Sequence, residues 1–297
     1  MKMSDIIKNK IDIVYFFEVK NGNPNGDPET GNCPRVDFET GKGIVTDVCM
    51  KRKIRNAVAN RYGDRDDCKI YITNGTSLEQ NCRSAYDFLG KTEKQIKEEY
   101  KKDKIGLSKD INNYMTSTFF DISAFGGVMT LFNQKDLMLS CASVRGPIQF
   151  SMPTSVDKIT PTEVSITRCA LATENESKDK NNTMGSKWII PYGLYMGHIY
   201  ISANQAEKTN FTEEKLNIFL DCLKNAFEDD HSAARGEMNM RDIFVFTHNS
   251  KHGNCPSYEL FDKVSAKKNT DTPRCYSDYT IEIDDKSIPE NVTLKRL

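Results

Sequence analysis

The feature that most constrains the fold is an apolar segment near the start of the chain. Residues 11–19, Ile-Asp-Ile-Val-Tyr-Phe-Phe-Glu-Val, are rich in β-branched and aromatic side chains, which suit a pleated sheet. An apolar residue stands at every second position from Ile11 to Val19, so the segment is predicted to be a buried strand. Such a strand needs other elements to cover it, and 297 residues suffice for a sizeable core.

A turn-rich segment and a helix follow this strand. Residues 21–43 contain five glycines, three prolines and four asparagines, a composition that predicts a long loop. Thr46 or Asp47 can cap a helix that runs to Tyr62, and Gly63 is predicted to end it in the left-handed conformation. Met50, Ile54, Ala57, Val58 and Tyr62 form its apolar stripe.

The same helix carries a cluster of cations. Lys51, Arg52, Lys53, Arg55 and Arg61 occur within eleven residues that contain no acid. A polyanion would relieve the repulsion among these charges, although a cationic face that is merely solvated is an alternative. Glycine and asparagine backbone groups in the preceding loop can approach phosphates closely, and Arg35 adds charge there. A sugar-phosphate strand could therefore lie across loop and helix.

The remaining pattern predicts an α+β fold. Strand-like segments occur at 144–152, 164–171, 188–201 and 242–247, and a helix with a Thr212 cap spans 211–227. Residues 64–133 form an insertion whose charged segment 91–104 is predicted to be a solvated helix. Without insertions, the order is strand, helix, strands, helix, strand, which is that of the ferredoxin-like fold.

Composition limits the compartment and the classes of partner. The net charge of -1 gives no overall attraction to polyanions, so a nucleic-acid contact would depend on local clusters. Nine cysteines without a CxxC pair, together with a polar start, predict a reduced, cytoplasmic protein. No apolar segment approaches eighteen residues, so no contact with a membrane is expected.

Metal and catalytic sites receive little support. The loop that begins at Asn21 resembles a calcium loop but lacks early carboxylates and has Asn32 where a bidentate Glu is needed. His248, His252 and Cys255 have metal-like spacing without an obvious fourth ligand. We therefore predict no cofactor and no metal.

Two long motifs resemble a known family. The segment NGNPNGDP..GN.PRVD.ETG.G.VTDVC.KRKIRN, within residues 21–56, resembles the N-terminal signature of the CRISPR Cascade backbone subunits, the "Cas seven" family, in their type I-C branch. The segment VRGPIQFSMPTSVDKITPTEVSITR, at 144–168, resembles the second signature of that family.

This resemblance implies a hand-shaped, RAMP-like protein that binds CRISPR RNA (crRNA). The domains implied are a ferredoxin-like (RRM-like) palm at 1–63 and 134–250, a fingers or web insertion at 64–133, a thumb arm at 172–187 and a C-terminal extension of the palm at 251–297. Copies would stack head to tail along the guide as a helical filament of Cascade and present it in segments to target DNA. Further partners implied are a large PAM-reading subunit and a subunit that binds the crRNA end.

The resemblance also assigns contacts without catalysis. It places Lys51, Arg52, Lys53 and Arg55 where the first helix of the family grips the crRNA backbone. Further predicted RNA contacts, with Met184 as the only apolar wedge available in the thumb, are Asn21, Asn23, Asn25, Arg35, Arg145, Gln149, Thr167, Arg168, Met184 and Lys187. Two alternatives stay open: a ferredoxin-like endoribonuclease that processes precursor crRNA with His198 or His231 as base, and a module whose basic helix binds an acidic protein.

Overall fold

The structure is a computed structural model that describes residues 5–134, 137–138, 140–168 and 183–297. Its helices are α1 (Asp47–Tyr62), α2 (Leu78–Phe88), α3 (Glu93–Lys102), α4 (Lys104–Thr118), α5 (Phe120–Phe125), α6 (Ala203–Thr209), α7 (Glu213–Lys224) and α8 (Ser257–Phe261). Its strands are β1 (Ile11–Gly22), β2 (Gly26–Asp27), β3 (Cys33–Pro34), β4 (Lys42–Ile44), β5 (Gly126–Val128), β6 (Asn133–Gln134), β7 (Leu137–Met138), β8 (Ser143–Arg145), β9 (Ile148–Phe150), β10 (Thr154–Lys158), β11 (Thr162–Arg168), β12 (Thr183–Ile201), β13 (Glu237–His248), β14 (Val264–Lys268), β15 (Tyr279–Ile283) and β16 (Val292–Arg296).

The central sheet has the ferredoxin-like order. Strands β13, β1, β12 and β10 are neighbours in that sequence, and β9 also pairs with β12. All of these pairings are antiparallel. Since α1 follows β1 and α7 precedes β13, the chain order is the βαββαβ pattern. The ferredoxin-like prediction is confirmed, as are the predicted caps Thr46 and Thr212.

Both faces of the central sheet are covered. Alternate residues of β1, including Ile13 and Tyr15, pack in one core with the apolar sides of α1 and α7. The intervening Val14 and Phe16 pack in a second core with residues of α8, β14 and β15. The C-terminal segment thus buries the face of β1 that the helices leave open, and β16 extends the sheet beside β13.

The insertion has a core of its own. Residues from α2, α3, α4 and α5 bury a separate apolar cluster that includes Tyr71, Ile111 and Phe132. Helix α3 begins with a capping box between Thr92 and Gln95, and Ile96 is its buried residue, which agrees with the predicted solvated helix.

The end of α1 differs from the prediction. Gly63 has φ -61° and ψ -21°, so the predicted left-handed stop is wrong. The chain continues in a right-handed turn, in which the Arg65 amide donates to the Tyr62 carbonyl over 3.0 Å. A glycine there needs no positive φ because the turn leaves the helix without reversing hand.

Candidate nucleic-acid interface

The turn-rich loop is attached directly to the start of α1. The side-chain oxygen of Asn25 accepts hydrogen bonds from the backbone amide and the hydroxyl of Thr46, both over 2.9 Å. The same Thr46 hydroxyl caps the helix by accepting from the Cys49 amide over 3.2 Å. The loop and the N-terminal turn of α1 therefore form one continuous surface.

Two of the four predicted helix cations are buried in ion pairs. Lys53 contacts Asp230, and the Arg55 Nε donates to Asp121 Oδ2 over 2.8 Å. Burial lowers the pKa of Lys53, against the opposing effect of its hydrogen bond to Asp230. The sequence argument for uncompensated repulsion therefore does not apply to these two residues, because distant acids neutralise them; their contact with RNA stays a prediction.

The other two cations, Arg52 and Lys51, differ in their exposure and in their partners. Arg52 is exposed, and among the residues the structure describes it has no hydrogen-bond or ion-pair partner. Lys51 Nζ lies 3.1 Å from Asp47 Oδ2 and 3.3 Å from Gln149 Oε1. The second contact joins helix α1 to strand β9, so predicted residues from two separate motifs meet. We call the surface formed by Asn25, Arg35, Lys51, Arg52 and Gln149 the α1 surface.

The predicted loop residues divide by burial. Asn21 is exposed at φ +50°, a left-handed conformation that asparagine tolerates. Asn23 is 3% exposed, and its amide donates to the Asn32 carbonyl over 2.7 Å, so it holds the loop from within. Arg35 pairs through Nη1 with Asp27 Oδ2 over 3.0 Å. Its Nε is buried without a hydrogen-bond partner in the described part of the chain.

Strand β11 and the first part of β12 form a hairpin. Thr167 is paired with Met184, and Arg168 with Thr183. Met184 is 75% exposed, and Lys187 Nζ donates to the Ala233 carbonyl over 3.1 Å. Of the predicted thumb arm, 172–182 lies outside the described residues, while 183–187 belongs to β12.

A loop that sequence reasoning missed completes this region. Arg235, between α7 and β13, donates through Nη1 to the carbonyls of Asn23 and Pro24 over 3.1 and 3.0 Å. Its Nε lies 3.5 Å from Asp230, the partner of Lys53. No local motif marks these residues. The available signal is topological, since β1 and β13 are antiparallel neighbours and the end of one meets the start of the other.

Arg145 lies apart from the residues of α1 but close to Gln149 in the chain. It is exposed on β8, which pairs with β5 through Arg145 and Gly126. The Gln149 amide nitrogen donates to the Gly146 carbonyl over 3.1 Å, so the residue next to Arg145 contacts the α1 surface.

The histidines lie in different surroundings. His248 is fully buried, with Nε2 2.9 Å from Asp12 and Nδ1 accepting from the Asn254 amide over 2.9 Å, so both nitrogens are used. The His198 ring stacks on Phe261 with ring centroids 4.1 Å apart. His231 is exposed. Within the described ranges, no cluster of three metal-ligating side chains occurs. No described helix is both long and apolar enough to cross a membrane.

A family model and a curated relative that match this chain carry the same description. The family model for CRISPR-associated protein Cas7 matches residues 9–284. A curated relative, "CRISPR-associated protein Cas7" of Haloferax volcanii, is 23% identical over 215 residues, which cover 69% of this chain and 60% of the relative. The chain thus matches less than two thirds of that relative's length.

Two solved structures also resemble this chain. A chain of "CRISPR RNA-guided surveillance complex, pre-nicking" aligns with TM-score 0.49 and 15% identity, over 80% of this chain and 78% of that one. A chain of "CRISPR RNA-guided surveillance complex" aligns with TM-score 0.46 and 14% identity, over 80% and 68% of the two chains.

Proposed function

Because this chain belongs to the CRISPR-associated protein Cas7 family, we propose that it is a non-catalytic subunit that binds crRNA along the backbone of a type I interference complex. The observation that carries the proposal is the contact of Lys51 with Gln149, which unites the two family-like motifs at the α1 surface. Arg52, which follows Lys51 in the chain, is exposed. The α1 surface would hold the crRNA backbone.

The chemistry of the α1 surface suits a guide of any sequence. Cations and amide groups bind phosphates and sugars, and such contacts position a strand without reading its bases. In RNA-guided complexes, target specificity comes from base pairing between guide and target. A subunit that grips only the backbone would therefore accept every guide.

The proposal includes an arrangement of domains and partners. The central sheet with α1 and α7 would be the palm, the separately packed helices α2 to α5 the fingers, and the β11–β12 hairpin the base of a thumb. Copies would stack head to tail along the crRNA and expose it in segments to target DNA. The complex, of type I-C, would also hold a large PAM-reading subunit and a subunit at the crRNA end.

The first test is size-exclusion chromatography with absorbance at two wavelengths, on protein expressed with and without a CRISPR array transcript. We expect a large species that contains RNA of uniform length, and only when the transcript is present. A monomer without nucleic acid at low salt would contradict the proposal and would favour an acidic protein as the partner of α1.

A second test addresses catalysis. A histidine can act as a general base only when its ring nitrogen reaches the scissile group, whereas His198 is stacked against Phe261 and its Nε2 is buried without a described partner. We expect purified protein to leave precursor crRNA intact. Cleavage that disappears in a His231→Gln variant, with RNA binding retained, would show that the chain is a processing nuclease.

A further inference from the structure

A groove of about 520 Å³ lies between helices α4 and α6 and strand β8. Three of its lining residues are cations, Lys109, Arg145 and Lys208, and all three are exposed. The Asn112 amide donates to the Lys208 carbonyl over 3.3 Å and so fixes α4 against α6 across the groove. Lys109 and Lys208 thus sit on helices that are held together.

These cations differ from most others of the fold because nothing described neutralises them. Arg55, Lys53 and Arg61 on α1 each contact a carboxylate. By contrast, the described chain offers no ion pair or side-chain hydrogen bond to the charged groups of Lys109, Arg145 or Lys208. Three unpaired like charges in one groove repel each other, and an anionic ligand would remove that cost.

The nearby acids point away or are already paired. Glu207 precedes Lys208 but lies 2.6 Å from Lys251 Nζ. Asp110 follows Lys109 but lines a different groove, beside Phe88 and Tyr114. Among the described residues, no carboxylate lines the cationic groove. Its positive potential is therefore not cancelled locally.

We propose that this groove binds the sugar-phosphate backbone of a single-stranded nucleic acid, as a contact additional to the α1 surface. Amide and hydroxyl groups of Gln205 and Ser143 line it beside the cations, and Ile105, which is 82% exposed, gives an apolar surface for sugar or base faces. Such a mixture fits a nucleic-acid strand better than a simple acidic peptide.

Position supports the same ligand class. Arg145 precedes Gly146, whose carbonyl accepts from Gln149, and Gln149 in turn contacts Lys51. The groove therefore begins where the α1 surface ends. This step rests on the proposed function, under which the α1 surface holds crRNA. The strand in the groove is then either the same guide or the target strand, because both offer the same phosphates.

The binding test uses the full chain and two neutralising changes. Lys109→Gln with Lys208→Gln is compared with Lys101→Gln and Lys102→Gln, exposed lysines at the end of α3 that do not line the groove. Affinity for a labelled single-stranded RNA oligonucleotide is measured over a salt series. The slope of log affinity against log salt is negative, and each lost phosphate contact makes it shallower by about 0.7. The slope of the groove variant should therefore be shallower than that of the wild type by about 1.4, and the slope of the control should be unchanged. Equal slopes in both variants would overturn the proposal.

Assembled complexes then distinguish the two strands. Loss of crRNA from complexes of the groove variant would assign the groove to the guide. Normal crRNA content with weaker binding of a complementary DNA strand would assign it to the target. Normal binding of both, with loss of another protein subunit, would overturn the proposal. If wild-type protein carries no crRNA, the proposed function fails, while the oligonucleotide assay still reports on the groove.

Discussion

The Arg55 guanidinium and the Asp121 carboxylate form an ion pair between α1 and α5 that is almost closed to solvent. Arg55 is 9% exposed and Asp121 is fully buried. Asp121 also accepts the backbone amides of Tyr71 and Ile72 over 2.8 and 3.1 Å. One carboxylate thus joins the first helix of the sheet domain to the start of the helical insertion.

Replacing Arg55 is expected to lower the stability of the fold, and to change RNA binding only as a consequence. In Arg55→Met the Asp121 charge remains buried without its cation, and breaking such a pair costs about 3–5 kcal/mol. Denaturant unfolding should show this loss. Arg55→Met with Asp121→Asn, which removes the charge and keeps an acceptor for one of the two amides, should recover part of it. Equal stability of Arg55→Met and the wild type would mean that the pair is not maintained in solution.

Replacing Arg52 is expected to weaken RNA binding without lowering the stability of the fold. Since Arg52 is exposed and has no described partner, Arg52→Gln should leave the melting temperature unchanged. The RNA affinity of this variant should fall, and its slope of log affinity against log salt should be shallower by about 0.7, as expected for one lost phosphate contact. Arg61→Gln is the matched control, on the last turn of the same helix and against Asp221. An equal loss of RNA affinity in the control would remove Arg52 from the interface.

The parts of the fold that sequence predicted are those with local signals. The alternation in β1, the apolar stripe of α1 and the Thr212 cap of α7 each depend on neighbours within a few residues. Which elements cover the two faces of β1 could not be predicted in the same way. The C-terminal residues that share a core with Phe16, such as Phe261 and Tyr279, are far away in sequence and carry no periodic pattern of their own.

The candidate site shows the same limit. An acid-free run of cations was evident in the sequence, but the partners of Lys53 and Arg55 lie 177 and 66 residues away. Only the tertiary structure shows which cations are neutralised. Arg52 and Lys53 are adjacent in sequence, yet one is exposed and the other is buried against Asp230.

Acid should weaken the fold through His198. Burial lowers the pKa of His198 from its ordinary value of 6.5, and the nearby Asp262 opposes this only in part. Between the lowered pKa and 6.5 the unfolded chain binds more protons than the folded one, so stability falls as the pH falls through this window. The melting temperature should therefore decrease below about pH 6.5.

A His198→Phe variant tests this assignment, because phenylalanine can keep the stack on Phe261 without a titrating nitrogen. The variant should show a flatter dependence of melting temperature on pH. His252→Gln, at an exposed histidine that contacts Asn204, should follow the wild type. Parallel pH profiles for wild type and His198→Phe would assign the acid sensitivity to another group.

The hairpin of β11 and β12 provides a test of the predicted thumb. Met184 is 75% exposed opposite Thr167, so Met184→Ser removes an apolar side chain from solvent and should not destabilise the fold. If Met184 inserts between nucleotides or contacts the next copy, the variant should form shorter assemblies on crRNA while keeping the RNA affinity of the single chain. Mass photometry of complexes reconstituted on one crRNA measures the length of the assemblies.

Ile166→Ser, at another exposed apolar position of the hairpin, is the control. Assemblies of wild-type length from Met184→Ser would exclude Met184 as the wedge, and equally short assemblies from both variants would indicate that the hairpin acts through its general apolar surface.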